Sequence, residues 1–154
     1  MREYDFIVVG TGISGLSFAL KAASRGRVAI LTKRSPEMSN TAWAQGGVSC
    51  VTDAQDSFDA HIADTVDAGA GLCEPTVVDT IVKAAPAAIE DMVAQGVNFD
   101  REENGSFSLG REGGHTQRRI LHARDTTGRE ISAKLLSAAS REKNIEILDN
   151  HFAI

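Results

Sequence analysis

Aromatic side chains are scarce here: one Trp, one Tyr and six Phe make up 5% of the 154 residues. The core must therefore be aliphatic, and a 42% hydrophobic content over this length supports one real core and not two large ones. Cysteine is scarcer. Cys50 and Cys73 are the only two, form no C-x-x-C pair, and fit a reducing compartment where thiols stay free. No basic run offsets the net charge of −5, which argues against nucleic acid as a partner. No signal peptide or membrane-spanning run is legible either. Met1 to Asp5 include the charged Arg2, Glu3 and Asp5 and lead straight into an apolar stretch, so a soluble, cytoplasmic protein with no membrane partner is expected. There is no internal repeat and no low-complexity tract.

What is present is glycine in one telling place. Phe6 to Val9 has the length and β-branched content of a buried parallel strand, and Ile13 to Arg25 carries apolar residues at helical spacing. Between them lie Gly10, Thr11, Gly12, Ile13, Ser14 and Gly15, the turn of a dinucleotide pocket. Gly10 allows the tight turn, Gly12 lets the backbone approach a pyrophosphate, and Gly15 lets the helix pack on the strand. The helix N-terminus adds amide donors and a positive dipole end. The usual acid after the second strand, Val28 to Leu31, is missing, and Lys33 stands near its place. A lysine there suits a 2′-phosphate, a different cofactor, or nothing more than a strand ending in solvent.

Residues 39 to 47 are too rich in small side chains and amides to be core. Asn40, Thr41, Ala42, Trp43, Ala44, Gln45, Gly46 and Gly47 form a segment suited to lying flat against an extended ligand. With the first turn, it resembles the flavoprotein family of succinate dehydrogenase, fumarate reductase and L-aspartate oxidase, in which a T-x-x-A-Q-G-G element lines the flavin. Lys33 is similar to that family's pattern too. Members that bond their flavin covalently carry a histidine just before the threonine. Asn40 occupies that place, so the resemblance implies non-covalent, dissociable FAD.

A later stretch is more specific. Residues 111 to 129 closely resemble the R-E-G-G-H…R-R-I-L-H-A…D-x-T-G segment of L-aspartate oxidases. A substrate with two carboxylates and an ammonium group calls for cations, donors and one anion. The resemblance implies that Glu112 orients that ammonium; the plain alternative is a solvated loop acid. His115 is either site-lining or a packing histidine, His122 is more simply the latter, and the two make no metal pair. Arg118 and Arg119 suit a phosphate or carboxylate, but neighbours on a strand face opposite ways and both cannot reach it. Asp125 with Thr126 to Gly128 reads as a turn and N-cap.

The remaining elements follow from pattern. Asp56 to Ala68 predicts a helix with Phe58, Ile62 and Val66 along its stripe, ended by Gly69 and Gly71. Pro75 opens a second helix with Val78, Ile81, Val82, Ala85, Ile89 and Met92 on its apolar side and Gly96 after its end. Pro86 predicts a kink or break near Ala85. Asn104-Gly105 predicts a hairpin between Phe99 and Phe107, because both residues accept positive φ, and it would carry Arg111 to His115 into the site. Ile120-Leu121 reads as a strand, Glu130 to Arg141 as a helix, and Ile145 to Leu148 as a parallel strand. The order fits an α/β fold, a truncated doubly wound FAD/NAD(P)-binding Rossmann-like sheet of the glutathione-reductase type, with a helical and hairpin insertion at roughly 53 to 116. An uncovered sheet edge makes self-association expected.

The resemblance covers the whole chain but only the first third of such an enzyme, the N-terminal part of its FAD-binding domain. It implies that a capping domain, a helical C-terminal region and the proton-transferring arginine lie outside these residues, and that the chain alone is inactive. The activity implied is oxidation of L-aspartate to iminoaspartate, with O2 or fumarate as acceptor, feeding quinolinate and NAD synthesis. Two alternatives stay open: a fumarate reductase or succinate dehydrogenase flavoprotein, and a non-catalytic nucleotide-binding fragment.

Overall fold

A computed structural model describes residues 2–154 and divides the chain into two compact units. One is formed by the chain up to Gln45 with Gln95–Val97 and Thr126–Ile154, the other by Gly46–Ala94 and Asn98–Asp125.

In the first unit, β1 (Phe6–Val9), β2 (Val28–Leu31) and β6 (Ile145–Leu148) make a parallel sheet in the order β1-β2-β6, with Phe6 opposite Val28 and Val28 opposite Ile145. The three strands carry the bounds their sequences predict. Their environments differ. Central β2 buries Val28, Ala29 and Ile30, whereas β1 is an edge strand that leaves Ile7 67% and Val9 69% exposed. The expectation of a fully buried β1 is thus corrected, because an outer strand within this unit has only one covered face.

Helix α1 (Ile13–Ala22) is shorter than the expected Ile13 to Arg25. After Ala22 the chain turns back toward β2, with Arg25 N donating to Ala22 O at 2.8 Å and Asp5 taking the Arg27 amide at 2.7 Å. Leu16, Ala19 and Ala22 form its buried stripe, and α1 packs on α5 (Thr127–Arg141). Helix α5 starts earlier than Glu130. Thr126 holds the N-cap position without a side-chain cap bond, so its expected capping role is corrected to position alone. The segment expected to lie flat includes a helical turn, α2 (Asn40–Trp43), capped by Ser39 Oγ, which accepts from Ala42 N at 3.4 Å. α2 packs on α5 where Gly128 permits it: a Cβ on Gly128 would lie 1.9 Å from Thr41 O.

The second unit contains α3 (Phe58–Ala68), α4 (Pro75–Ala94) and an antiparallel sheet of β3 (Val48–Ser49), β5 (Ile120–Leu121) and β4 (Leu109–Gly110), with β5 central. Helix α4 buries Val78, Val82, Ile89 and Met92, while Ile81 stays 62% exposed. It runs as one helix through Pro86, so of the expected kink or break the break does not occur. Alanines on both sides of the proline (84, 85, 87 and 88) are strong helix formers that offset the lost donor. On α3 the buried residues are His61 and Asp64, not the expected Phe58, Ile62 and Val66 stripe. Polar partners from the chain around residue 119 claim that face. The predicted hairpin is present as an Arg101–Phe107 bridge, but only Gly105 takes positive φ, at 86°. Asn104 contributes its side chain instead, its Oδ1 accepting from Ser106 N at 3.0 Å.

Candidate functional site

The carboxyl ends of β1 and β2 open on a cavity of about 460 Å³ lined by Gly10, Thr11, Gly12, Lys33, Asn40 and Thr41, with Thr32, Met38, Ser39 and His151 to Ala153 completing it. The backbone explains its shape. Gly10 adopts φ +101°, beyond the ordinary reach of an L side chain, and its amide donates to Leu31 O at 2.8 Å. A Cβ on Gly15 would lie 2.3 Å from Gly10 O, so only glycine lets α1 start this close to the turn. Gly12 is the N-cap of α1.

Two sequence motifs meet here. Thr41 Oγ1 accepts the Ile13 amide at 3.0 Å, joining the second segment to the glycine turn. One amide of the first helical turn is therefore already paired by the protein, and the donor set for a ligand is smaller than the bare motif suggests. The lining of the cavity contains no carboxylate side chain; it offers the Lys33 cation, the hydroxyls of Thr11, Thr32, Ser39 and Thr41, and the Asn40 amide. Hydroxyls and a cation around an open backbone turn suit the phosphates and ribose of a dinucleotide.

The other residues of these motifs are placed differently. Ser14 is exposed. Ala42 and Trp43 line a separate hollow of about 340 Å³ with Glu37, Arg129, Ser132, Ala133 and Leu136, and Trp43 is 71% exposed. Ala44 O accepts the Gly128 amide at 3.0 Å, and Gln45 is exposed. Gly46 and Gly47 fall in the second unit, where a Cβ on Gly47 would come within 2.4 Å of Ile120 Cγ2. Ser39 belongs to the segment the sequence marked, whereas Met38 and the 151–153 segment were not picked out by motif reasoning. The available signal was topological, since ligands in open α/β sheets bind beyond the carboxyl ends of strands and β6 ends at Leu148.

In the second unit, Glu112 is exposed and His115 half-buried, with the His115 amide donating to Glu112 O at 3.3 Å. Beneath them lies an ionic cluster. Arg119 is fully buried, gives Nε and Nη2 to the two oxygens of Asp56 at 2.7 and 2.8 Å, and gives Nη1 to Asp64 Oδ2 at 2.5 Å. Arg119 thus reaches carboxylates of the protein itself, while exposed Arg118 donates to Leu109 O at 3.3 Å. Burial alone would raise the Asp64 carboxyl, but the Thr116 amide, Arg119 and the Thr116 hydroxyl outweigh it and hold it at about 2. Asp56 is likewise lowered: burial opposes, and Arg119 and the Ser57 amide prevail.

His61 packs in the same cluster, its ring 5.7 Å from that of His115. Burial, Arg119 and His115 push its pKa down, and its Nδ1 is the buried side-chain polar atom without a hydrogen-bond partner among the described residues. The sequence held no pattern joining Asp56, Asp64 and Arg119. His122 is a structural histidine, its Nδ1 3.0 Å from Asp100 Oδ2, which also takes the Arg124 amide at 2.8 Å. Burial, with Asp56, pushes the Cys50 thiol up to about 11, which leaves it unreactive. Among the described residues no group of three or more His, Cys, Asp or Glu could hold a metal, and no helix is long and apolar enough to cross a membrane.

The FAD binding domain family model matches residues 5–154. L-aspartate oxidase 2-a, chloroplastic, of Nicotiana tabacum is 48% identical over 153 residues, which is 99% of this chain and 24% of that protein. L-aspartate oxidase 1 of Ralstonia nicotianae is 43% identical over 154 residues, 99% of this chain and 29% of its own length. Among solved structures, a variant of E. coli quinol fumarate reductase FrdA superposes with a TM-score of 0.91 at 33% identity, over 98% of this chain and 26% of that one. The chain therefore spans a quarter to a third of the length of the curated relatives it matches.

Proposed function

This chain belongs to the FAD binding domain family, and from that membership we propose that it is the N-terminal, flavin-binding portion of an L-aspartate oxidase. The whole enzyme oxidises L-aspartate to iminoaspartate, with O2 or fumarate as electron acceptor, and supplies quinolinate and NAD synthesis. The single observation that carries the cofactor reading is the carboxylate-free cavity at the glycine turn, with Lys33 and four hydroxyls on its wall. The first unit is then the start of a doubly wound, glutathione-reductase-type sheet, and the second an insertion into it. The protein works in a soluble, cytoplasmic compartment, and the edge of β1 is where further chain or a second copy adds.

When bound, FAD supplies the hydride acceptor. The protein's own residues bind and orient. The Gly10 to Gly15 turn and the start of α1 face the pyrophosphate, and Lys33 offsets its charge. Asn40 holds the place before Thr41 with an amide that forms no covalent bond, so the cofactor dissociates. Thr41 fixes the turn through Ile13. Glu112 attracts the substrate ammonium, which succinate lacks, and His115 lines the same loop.

Titration of FAD by fluorescence tests the pocket. Saturable binding is expected, lost by tenfold or more in Gly12→Asp, where a carboxylate is placed against phosphates at roughly 1.4 kcal/mol per tenfold. Equal binding by the variant would sink the pocket assignment. Turnover of L-aspartate but not succinate by the whole protein is expected. The reverse would favour the second reading, a soluble fumarate reductase flavoprotein, which the structural likeness to FrdA keeps in view.

A further inference from the structure

We infer that Arg119 is a positioning residue that fixes the tautomer of His115, so that the loop holding Glu112 and His115 carries a set hydrogen-bond donor. A guanidinium has donors and no acceptor. Arg119 Nη1 lies 3.2 Å from His115 Nδ1, so Nδ1 accepts and the neutral ring carries its proton on Nε2. The guanidinium has no freedom to turn away, because its other nitrogens are held by both oxygens of Asp56 and Nη1 itself is shared with Asp64. The loop is tied to the same point: Asp64 Oδ2 also receives the Thr116 amide at 2.8 Å and the Thr116 hydroxyl at 2.9 Å. Gly114, at φ +81°, lays the loop on α3, with its Cβ position 3.6 Å from Ala68 Cβ. The His61 ring, tilted 56° to that of His115, packs against it.

The chemistry follows. With Nδ1 taken and Nε2 protonated, His115 gives a proton-bearing edge and accepts none, so it binds an anionic group and does not abstract a proton. A donor at His115 and an anion at Glu112 together match a ligand with a carboxylate and an ammonium. This ligand class rests on the proposed function; the tautomer does not.

The test is 15N NMR of the full chain labelled at histidine. A single Nε2–H tautomer with a hydrogen-bonded Nδ1 is expected for His115, and an Nδ1–H or averaged ring overturns the inference. A second arm uses Arg119→Met combined with Asp56→Asn and Asp64→Asn, so that no buried carboxylate is left unpaired. In that folded variant the His115 tautomers average; an unchanged spectrum overturns the inference, and if the variant does not fold the unsubstituted spectrum decides alone. In the whole protein, His115→Leu should raise KM for L-aspartate about tenfold or more, the worth of a charged hydrogen bond, with a smaller fall in kcat. His115→Gln, which keeps an N–H, should recover part of it. An inactive protein with the expected tautomer would refute the proposed function only, and the wrong tautomer in an active L-aspartate oxidase would refute this inference only.

Discussion

The glycine turn of the first unit and the Glu112 to Thr116 loop of the second are both candidate binding elements, and they are held by different forces. At the turn the shape is made by backbone: a positive φ at Gly10, a close approach at Gly15, and one hydroxyl-to-amide bond from Thr41. Under the loop it is made by charge, with one fully buried guanidinium between two carboxylates. A backbone-built site fails when volume is added. A charge-built site fails when a partner is removed, because the surviving ion is left dehydrated. The pairing teaches that two candidate binding elements of one chain can rest on different supports.

Removing one partner from the buried cluster should have the largest effect. Arg119→Met alone leaves Asp56 and Asp64 unpaired and should cost about 3 to 5 kcal/mol in urea unfolding. The neutral triple variant should regain most of it; an equal loss in both would show that packing, not charge, supports the loop. Acid should separate the two regions in the same way. Asp64 sits at about 2 when folded, below its ordinary 3.8, so its stabilisation is present above pH 4 and is lost as pH falls toward 2. Unfolding measured across that window should show the dependence, and the triple variant should lack it.

Added volume is the test of the backbone-built region. Gly128→Ala would put a methyl 1.9 Å from Thr41 O and 2.7 Å from Ala44 O. It should destabilise by about 3 kcal/mol and weaken FAD binding together, since α2 must move off α5. A stable Gly128→Ala protein with unchanged FAD affinity would break the link between that contact and the cavity. The smallest effect is expected from Thr41→Val, which removes the acceptor for the Ile13 amide at a cost of about 1 kcal/mol by thermal unfolding. A loss as large as that of Arg119→Met would erase the contrast between the two regions.

Reading the sequence alone located the glycine turn because its requirements are local: strand, tight turn and helix follow one another within a few residues, and periodicity reports each. The same locality made β2, β5 and β6 legible to the residue. It misjudged α3, where the apolar stripe was the obvious inner face, since the partners that bury His61 and Asp64 come from a segment far along the chain. At Pro86 the local cost is real, but the alanines around it and the packing of Val82 and Ile89 keep the helix unbroken.

The sequence by itself determined the order of the longer strands and helices, the glycine geometry at Gly10 and Gly15, and the family, because each depends on residues adjacent in the chain or on motifs preserved as strings. Only the tertiary structure decided that Thr41 closes the glycine turn, that Gly128 exists for the approach of α2 to α5, and that Arg119 serves Asp56, Asp64 and His115 instead of a ligand. Those are contacts between residues distant in sequence. Their energies come from desolvation and close packing, which no local pattern encodes.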